Sequence, residues 1–155
     1  MNRVLALQEK FKNKPFGNYI FSKILARMAP YFKTIDPKVV ELRHNYMKAS
    51  LKKKPKVHNH IKTVHAIACC NLCEFAAGVC MEASIPKNRR WIPKSMEVDY
   101  LKKAGTDLTA VCDLSFVDWE TVEIVPCPVS VYDTNGVEVV KATIKMYVTD
   151  RPKKK

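Results

Sequence analysis

The stretch His58–Ser84, HNHIKTVHAIACCNLCEFAAGVCMEAS, decides how the rest of the chain is read. From Thr63 onward it predicts a helix of about six turns, because no proline and only Gly78 interrupt a run of good helix formers. Thr63 is the natural N-cap, which leaves the amides of Val64, His65 and Ala66 without intrahelical acceptors. An end of that kind can hold an anion or a polarised carbonyl.

Apolar residues surround most of this helix, so it is expected to be buried on nearly every side. Asn71, Glu74, Gly78 and Glu82 are the exceptions, and their spacings of three, four and four place them in one stripe. A carboxylate embedded there is costly unless it has a partner or a function. Glu74 follows His65 by nine residues, about two and a half turns and about 13.5 Å along the axis, and so points away from it. If the helix start and this carboxylate serve one site, two antiparallel copies of the helix must supply them. That geometry predicts a homodimer with two composite sites.

The chain has 155 residues, of which 47% are apolar and 27% charged, enough for one soluble domain with a core. No uninterrupted apolar stretch is expected to span a membrane, since Asn71, Glu74 and Glu82 break the central helix. Six cysteines without a secretory signal pattern point to free thiols, packed as small apolar groups, in a reducing, cytoplasmic setting. Cys70-x-x-Cys73 with His58 and His60 lacks the second Cys pair of a common zinc site, so no metal is expected. The formal charge of +12 suits a polyanionic ligand or nucleic acid. No basic stretch carries the interleaved aromatics of a nucleic-acid platform, and the lysine runs read as solvated loops and ends.

Residues 2–14 and 17–29 form two amphipathic helical segments divided by Pro15 and Gly17, with Ile20, Ile24, Leu25 and Met28 on the packed face of the second. Residues 39–48 alternate as one half-buried strand, with His44 on the apolar side. After the long helix, Pro86 to Pro93 reads as a basic connection. Strands follow at Ser95–Lys102, Asp107–Ser115, Thr121–Tyr132 and Val137–Thr149. Pro126 and Pro128 suggest an edge or a bulge, and Asp133-Thr134-Asn135-Gly136 a tight turn. The succession predicts an antiparallel meander rather than parallel βαβ units. The whole is an α+β domain over residues 1–155, a sheet wrapped around one long central helix, with a helical prelude over 1–30 and a basic tail over 150–155.

The segment N-x-H-x-x-T-V-H-A, with an acidic residue nine positions after its second His, resembles the active-site helix of hot-dog-fold acyl-CoA thioesterases. It is most similar to the phenylacetyl-CoA thioesterase type and to a less characterised sister branch. The similarity continues in SMEVDYLKKA and VSVYDTNGVEVVKATIKMYV. The resemblance implies a hot-dog fold, thioester hydrolysis and site residues Asn59, His65, Ala66 and Glu74. The amides of His65 and Ala66 would polarise the thioester, Glu74 from the partner subunit would act as base or nucleophile, and Asn59 would orient substrate or water. The family often opens this helix with His-Gly-Gly, whereas this chain has His-Ala-Ile. Arg89, Arg90, Lys102 and Lys103 are candidates for the coenzyme A phosphates, and coenzyme A enters only as part of the substrate. A non-catalytic acyl-CoA or lipid binder is the alternative. The assembly is expected to be a dimer or a tetramer of two dimers, without nucleic-acid or membrane partners.

Overall fold

The computed structural model describes residues 2–152. Two helices, α1 (Arg3–Lys12) and α2 (Gly17–Met28), lead through a 3-10 turn at Pro30–Thr34 into a hairpin of β1 (Lys38–Arg43) and β2 (Tyr46–Leu51). The long helix α3 (Ala66–Ser84) comes next, then β3 (Arg89–Tyr100), β4 (Leu108–Asp113), β5 (Ile124–Tyr132) and β6 (Glu138–Asp150). The strands form one antiparallel sheet in the order β1-β2-β4-β5-β6-β3. α3 packs across the face of this sheet and touches all six strands. This is the hot-dog fold, with α1, α2 and the 3-10 turn as a helical layer added to it.

The core follows from the pattern of apolar residues. Leu108, Ala110 and Cys112 of β4 and Val140, Ala142, Ile144, Met146 and Val148 of β6 alternate inward and are buried, as their period of two requires. They meet Leu72, Phe75, Ala76, Cys80 and Met81 of α3, none of which is measurably exposed. By length and mean hydropathy, 1.4, α3 is apolar enough to cross a membrane, contrary to the expectation from its three polar residues. Its apolar surface is covered by the sheet instead, and 67% of the relevant window is buried.

Several elements differ from the reading of the sequence. Residues 39–48 are not one strand but the two arms of a hairpin, because Asn45 takes a left-handed conformation with φ 63°. Asn45 also joins the hairpin to its surroundings. Its amide donates to Ser84 Oγ, its carbonyl accepts from Leu114, and its Oδ1 accepts from Trp119 Nε1. His44, expected in the core, is exposed at this turn. The basic connection before Pro93 is also strand, since β3 begins at Arg89 and carries Pro93 through a register shift. β3 then pairs with β6 at the sheet edge rather than with β4, so only β4-β5-β6 form a meander. Pro126 and Pro128 lie on an interior strand. β4 pairs with β5 only from Val129 to Tyr132, so one side of the proline stretch needs no ladder amide.

α2 packs through Phe21, Ser22, Leu25 and Ala26, while Ile20 and Met28 of the expected face are exposed. Ser22 explains the rotation: its hydroxyl donates to Asn18 O and accepts from Val39 N, which ties this face to the start of β1. Lys23 and Lys54 both reach Asp36, whose carboxyl is held below the usual range chiefly by the hydrogen bond from Lys23. The expected tail beyond residue 150 begins where β6 ends, and residues 153–155 lie outside the described residues.

The helical layer turns back on itself at Gly17, where a Cβ would lie 1.8 Å from the carbonyl oxygen of Phe11. Gly17→Ala is expected to destabilise the fold by about 2–3 kcal/mol, read as a melting temperature lowered by roughly 5–10 °C. Because folding depresses the Asp36 pKa, its contribution is fully present above the ordinary carboxylate range and is lost as pH falls through the lower, folded value. Asp36→Asn should therefore flatten the acid limb of stability between about pH 5 and pH 2, with little change in slope near neutrality.

Candidate active site

The start of α3 is built by a tight loop. After the 3-10 turn Pro55–Val57, residues His58 and Val64 bridge antiparallel, and Asn59 occupies the middle. Asn59 Oδ1 accepts from the amides of Ile61 and Thr63 at 3.1 and 3.0 Å, and its Nδ2 donates to Thr63 Oγ1 at 2.7 Å. The side chain expected to orient substrate is thus engaged in shaping the loop.

The helix begins two residues later than the Thr63 cap implied. Val64 N donates to Ala104 O at 2.9 Å and His65 N to Val57 O at 2.8 Å, so tertiary contacts take both amides. His65 becomes the N-cap, and its Nδ1 accepts from Ile67 N at 3.0 Å. An accepting Nδ1 puts the ring proton on Nε2 of this exposed imidazole. Of the two backbone donors expected for a carbonyl, the His65 amide is therefore occupied. Among the described residues the Ala66 amide makes no hydrogen bond, which leaves it available at the positive end of α3.

The polar stripe of α3 separates by partner. Asn71 Nδ2 donates to Thr34 Oγ1 at 3.0 Å, and Glu82 Oε2 accepts from Trp91 Nε1 at 3.0 Å. Glu74 is half-buried and, among the described residues, makes neither a hydrogen bond nor an ion pair within the chain. It borders an apolar cavity beneath the helical layer and an opening lined by Pro93, Lys94, Ser95 and Met96 of β3.

Cys70 shares the exposed line of α3 and lies 3.0 Å from Tyr100 Oη of β3. The phenol pKa is pushed up to about 12, first by its hydrogen bond with Cys70 and then by desolvation. Burial raises the Cys69 thiol to about 12 and the Cys73 thiol further, which removes both as nucleophiles at neutral pH. All six cysteines are free.

The four basic candidates do not gather in one chain. Arg89 is half-buried, with Nη1 donating to Trp119 O at 2.9 Å, and Arg90 Nε donates to Thr149 Oγ1 at 3.2 Å. Lys102 and Lys103 are exposed just beyond the opposite end of β3, beside the helix start, through the Ala104–Val64 bond. A strand of that length separates the pairs by roughly 40 Å. Two features escaped the sequence reading. One is the indole of Trp91 across α3. The other is a recess of about 180 Å³ beside the helix start, where His58 Nε2 and Asn71 Oδ1 are buried without partners among the described residues.

The sequence profile described as "Domain of unknown function (DUF4442)" matches residues 17–148. The chain belongs to the DUF4442 family. The match begins at the first residue of α2, so α1 is the part of the helical layer outside it. This DUF4442 chain is 42% identical to a structural-genomics protein designated APC5556, with a TM-score of 0.84 over 96% of this chain and 98% of that one. It shares its fold with thioesterase HI1161 from Haemophilus influenzae, at 8% identity and a TM-score of 0.72 over 83% and 90% of the two chains. A thioesterase family protein from Silicibacter pomeroyi is similar at 11% identity, with a TM-score of 0.72 over 86% and 99%. No curated protein matches the sequence.

Because Asn59 makes three bonds that hold the loop, Asn59→Ala in this DUF4442 protein should lower stability by about 1–3 kcal/mol. Thermal unfolding checks this, and an unshifted melting temperature would show that the loop does not depend on the side chain.

Proposed function

We propose that the protein is an acyl-CoA thioesterase, a hydrolase working as a homodimer whose two sites each combine the start of α3 with Glu74 of the partner subunit. The observation that carries this reading is the isolation of Glu74. Asn71 and Glu82 in the stripe are tied to Thr34 and Trp91, whereas the Glu74 carboxylate, half-buried and facing open space, makes no hydrogen bond or ion pair among the described residues. The thioesterase names of the structural neighbours agree with the reading.

Within one chain Glu74 lies about 12 Å along the axis from Ala66. Two antiparallel helices related by a two-fold axis near residue 70 bring each Ala66 beside Glu74 of the partner subunit, since both are four residues from that point. The β3 edge suits such an association, with Ile92, Tyr100 and Leu101 about half exposed or more and one side of its backbone unpaired. Antiparallel edges also bring the Arg90 end of one strand toward the Lys102 and Lys103 end of the other, so that cations from both copies can face the coenzyme A phosphates. Two such dimers could stack into a tetramer. A reducing, cytoplasmic setting belongs to the same reading and suits six free thiols.

In the reaction, the Ala66 amide donates to the thioester carbonyl oxygen and stabilises the oxyanion that forms on attack. Glu74 of the partner subunit takes a proton from water as the water oxygen bonds to the carbonyl carbon. Collapse of the tetrahedral intermediate breaks the C–S bond, and the proton held by the carboxyl passes to the departing thiolate. Direct attack by the carboxylate, through an anhydride that water then opens, uses the same geometry.

The alternative, an acyl-CoA or lipid binder without turnover, is favoured by two observations. The helix start carries the Ala66 Cβ where the resembling enzymes often have glycine, and the Asn59 side chain is engaged in its loop.

Glu74→Gln is expected to reduce kcat by about two to four orders of magnitude against an acyl-CoA panel, followed by loss of thioester ultraviolet absorbance, with the dimer intact. Saturable binding without turnover by the wild type selects the alternative. The two-fold axis is tested separately through Cys70, the one cysteine that is not fully buried. A short bis-maleimide should give covalent dimers that Cys70→Ser abolishes, and a cross-link indifferent to that change places the axis elsewhere.

A further inference from the structure

Glu74, Gly78 and Glu82 follow one another along α3, and a cavity of about 150 Å³ runs beside them. Its walls come from parts of the chain that meet only on folding: Leu25, Met28 and Phe32 of the helical layer, Phe75 and Val79 of α3, and Trp91 of β3. Phe32 and Phe75 meet edge to face at 5.2 Å. The lining is apolar except for two carboxylates, and that of Glu82 is already bonded to the indole of Trp91.

Trp91 lies close against α3 because residue 78 has no side chain. A Cβ there would sit 3.2 Å from Trp91 Cη2. The Glu82 bond to Nε1 then fixes the ring from the next turn. The indole thus forms a rigid wall about 6 Å along the helix from Glu74.

We propose that this cavity receives the apolar end of the acyl group, with Trp91 as the wall that limits its length. The inference rests on the thioesterase reading and adds a substrate class: an acyl chain of about six carbons or a ring of benzene size. A dry apolar cavity of about 150 Å³ holds a benzene-sized guest. Glu74 borders both this cavity and the opening beside Pro93–Met96, so the reacting carbonyl sits between them and coenzyme A lies on the open side. The helical layer is thereby part of the specificity pocket, and long acyl chains meet the indole.

The test compares kcat/KM for acetyl-, hexanoyl- and palmitoyl-CoA in wild type, Ala29→Phe, which fills the cavity, and Trp91→Ala, which opens it. The hexanoyl-to-acetyl ratio should fall about tenfold or more in Ala29→Phe, and the palmitoyl-to-hexanoyl ratio should rise about tenfold in Trp91→Ala. Ratios unchanged in both variants, each with a cooperative melting transition, overturn the proposal. If the wild type hydrolyses none of the three, the thioesterase reading fails and calorimetry tests the pocket alone. Tighter binding of hexanoyl- than acetyl-CoA that Ala29→Phe abolishes supports it, and equal affinities overturn it.

Discussion

The structure depends on covering a helix that is apolar almost all the way round. Apart from a line through Ile67, Cys70 and Glu74, α3 is apolar and must be enclosed, so the sheet curls over one flank and the helical layer closes another. Its composition permits close approach. Cys73, Ala76, Ala77 and Cys80 let strands lie near the helix axis, while Leu72, Phe75 and Met81 fill the wider gaps. The cysteines belong to this packing, and the raised pKa values of Cys69 and Cys73 follow from it.

That burial also creates the site. Once most of α3 is enclosed, any polar group on it requires a partner or a ligand. Asn71 bonds the helical layer through its Nδ2, with its Oδ1 left facing the recess beside the helix start, and Glu82 bonds β3 through Trp91. Among the described residues the Glu74 carboxylate has none, which sets it apart more clearly than its position in the sequence does. At the start of the helix the same economy acts on amides. Ala104, in the loop between β3 and β4, and Val57 take two of them, and among the described residues the Ala66 amide is left without an acceptor.

Much of the fold was legible in the sequence because it was written in strong periods. The alternation in β4 and β6, the absence of proline from α3 and the three-four-four spacing of its polar stripe each have one good structural solution. The weaker parts were local choices settled by distant contacts. A left-handed Asn45 divides residues 39–48 into a hairpin because Ser84, Leu114 and Trp119 all bind it. Arg89 to Pro93 read as a connection, since basic residues and a proline resemble a loop. They form strand because β6 is long enough to pair with them and a register shift absorbs the proline.

The central helix, the antiparallel sheet and the stripe that contains Glu74 are set by the order of the residues alone, because periodicity and helix propensity act over short range. Long-range contacts instead settled which members of the stripe are bonded, that His65 rather than Thr63 caps the helix, and that Arg89 and Arg90 lie within β3 rather than in a loop before it. Those outcomes depend on hydrogen bonds and packing between residues far apart in the chain, such as Val64 with Ala104 and Glu82 with Trp91. No local pattern encodes such pairings, since each forms only when the sheet has closed over the helix.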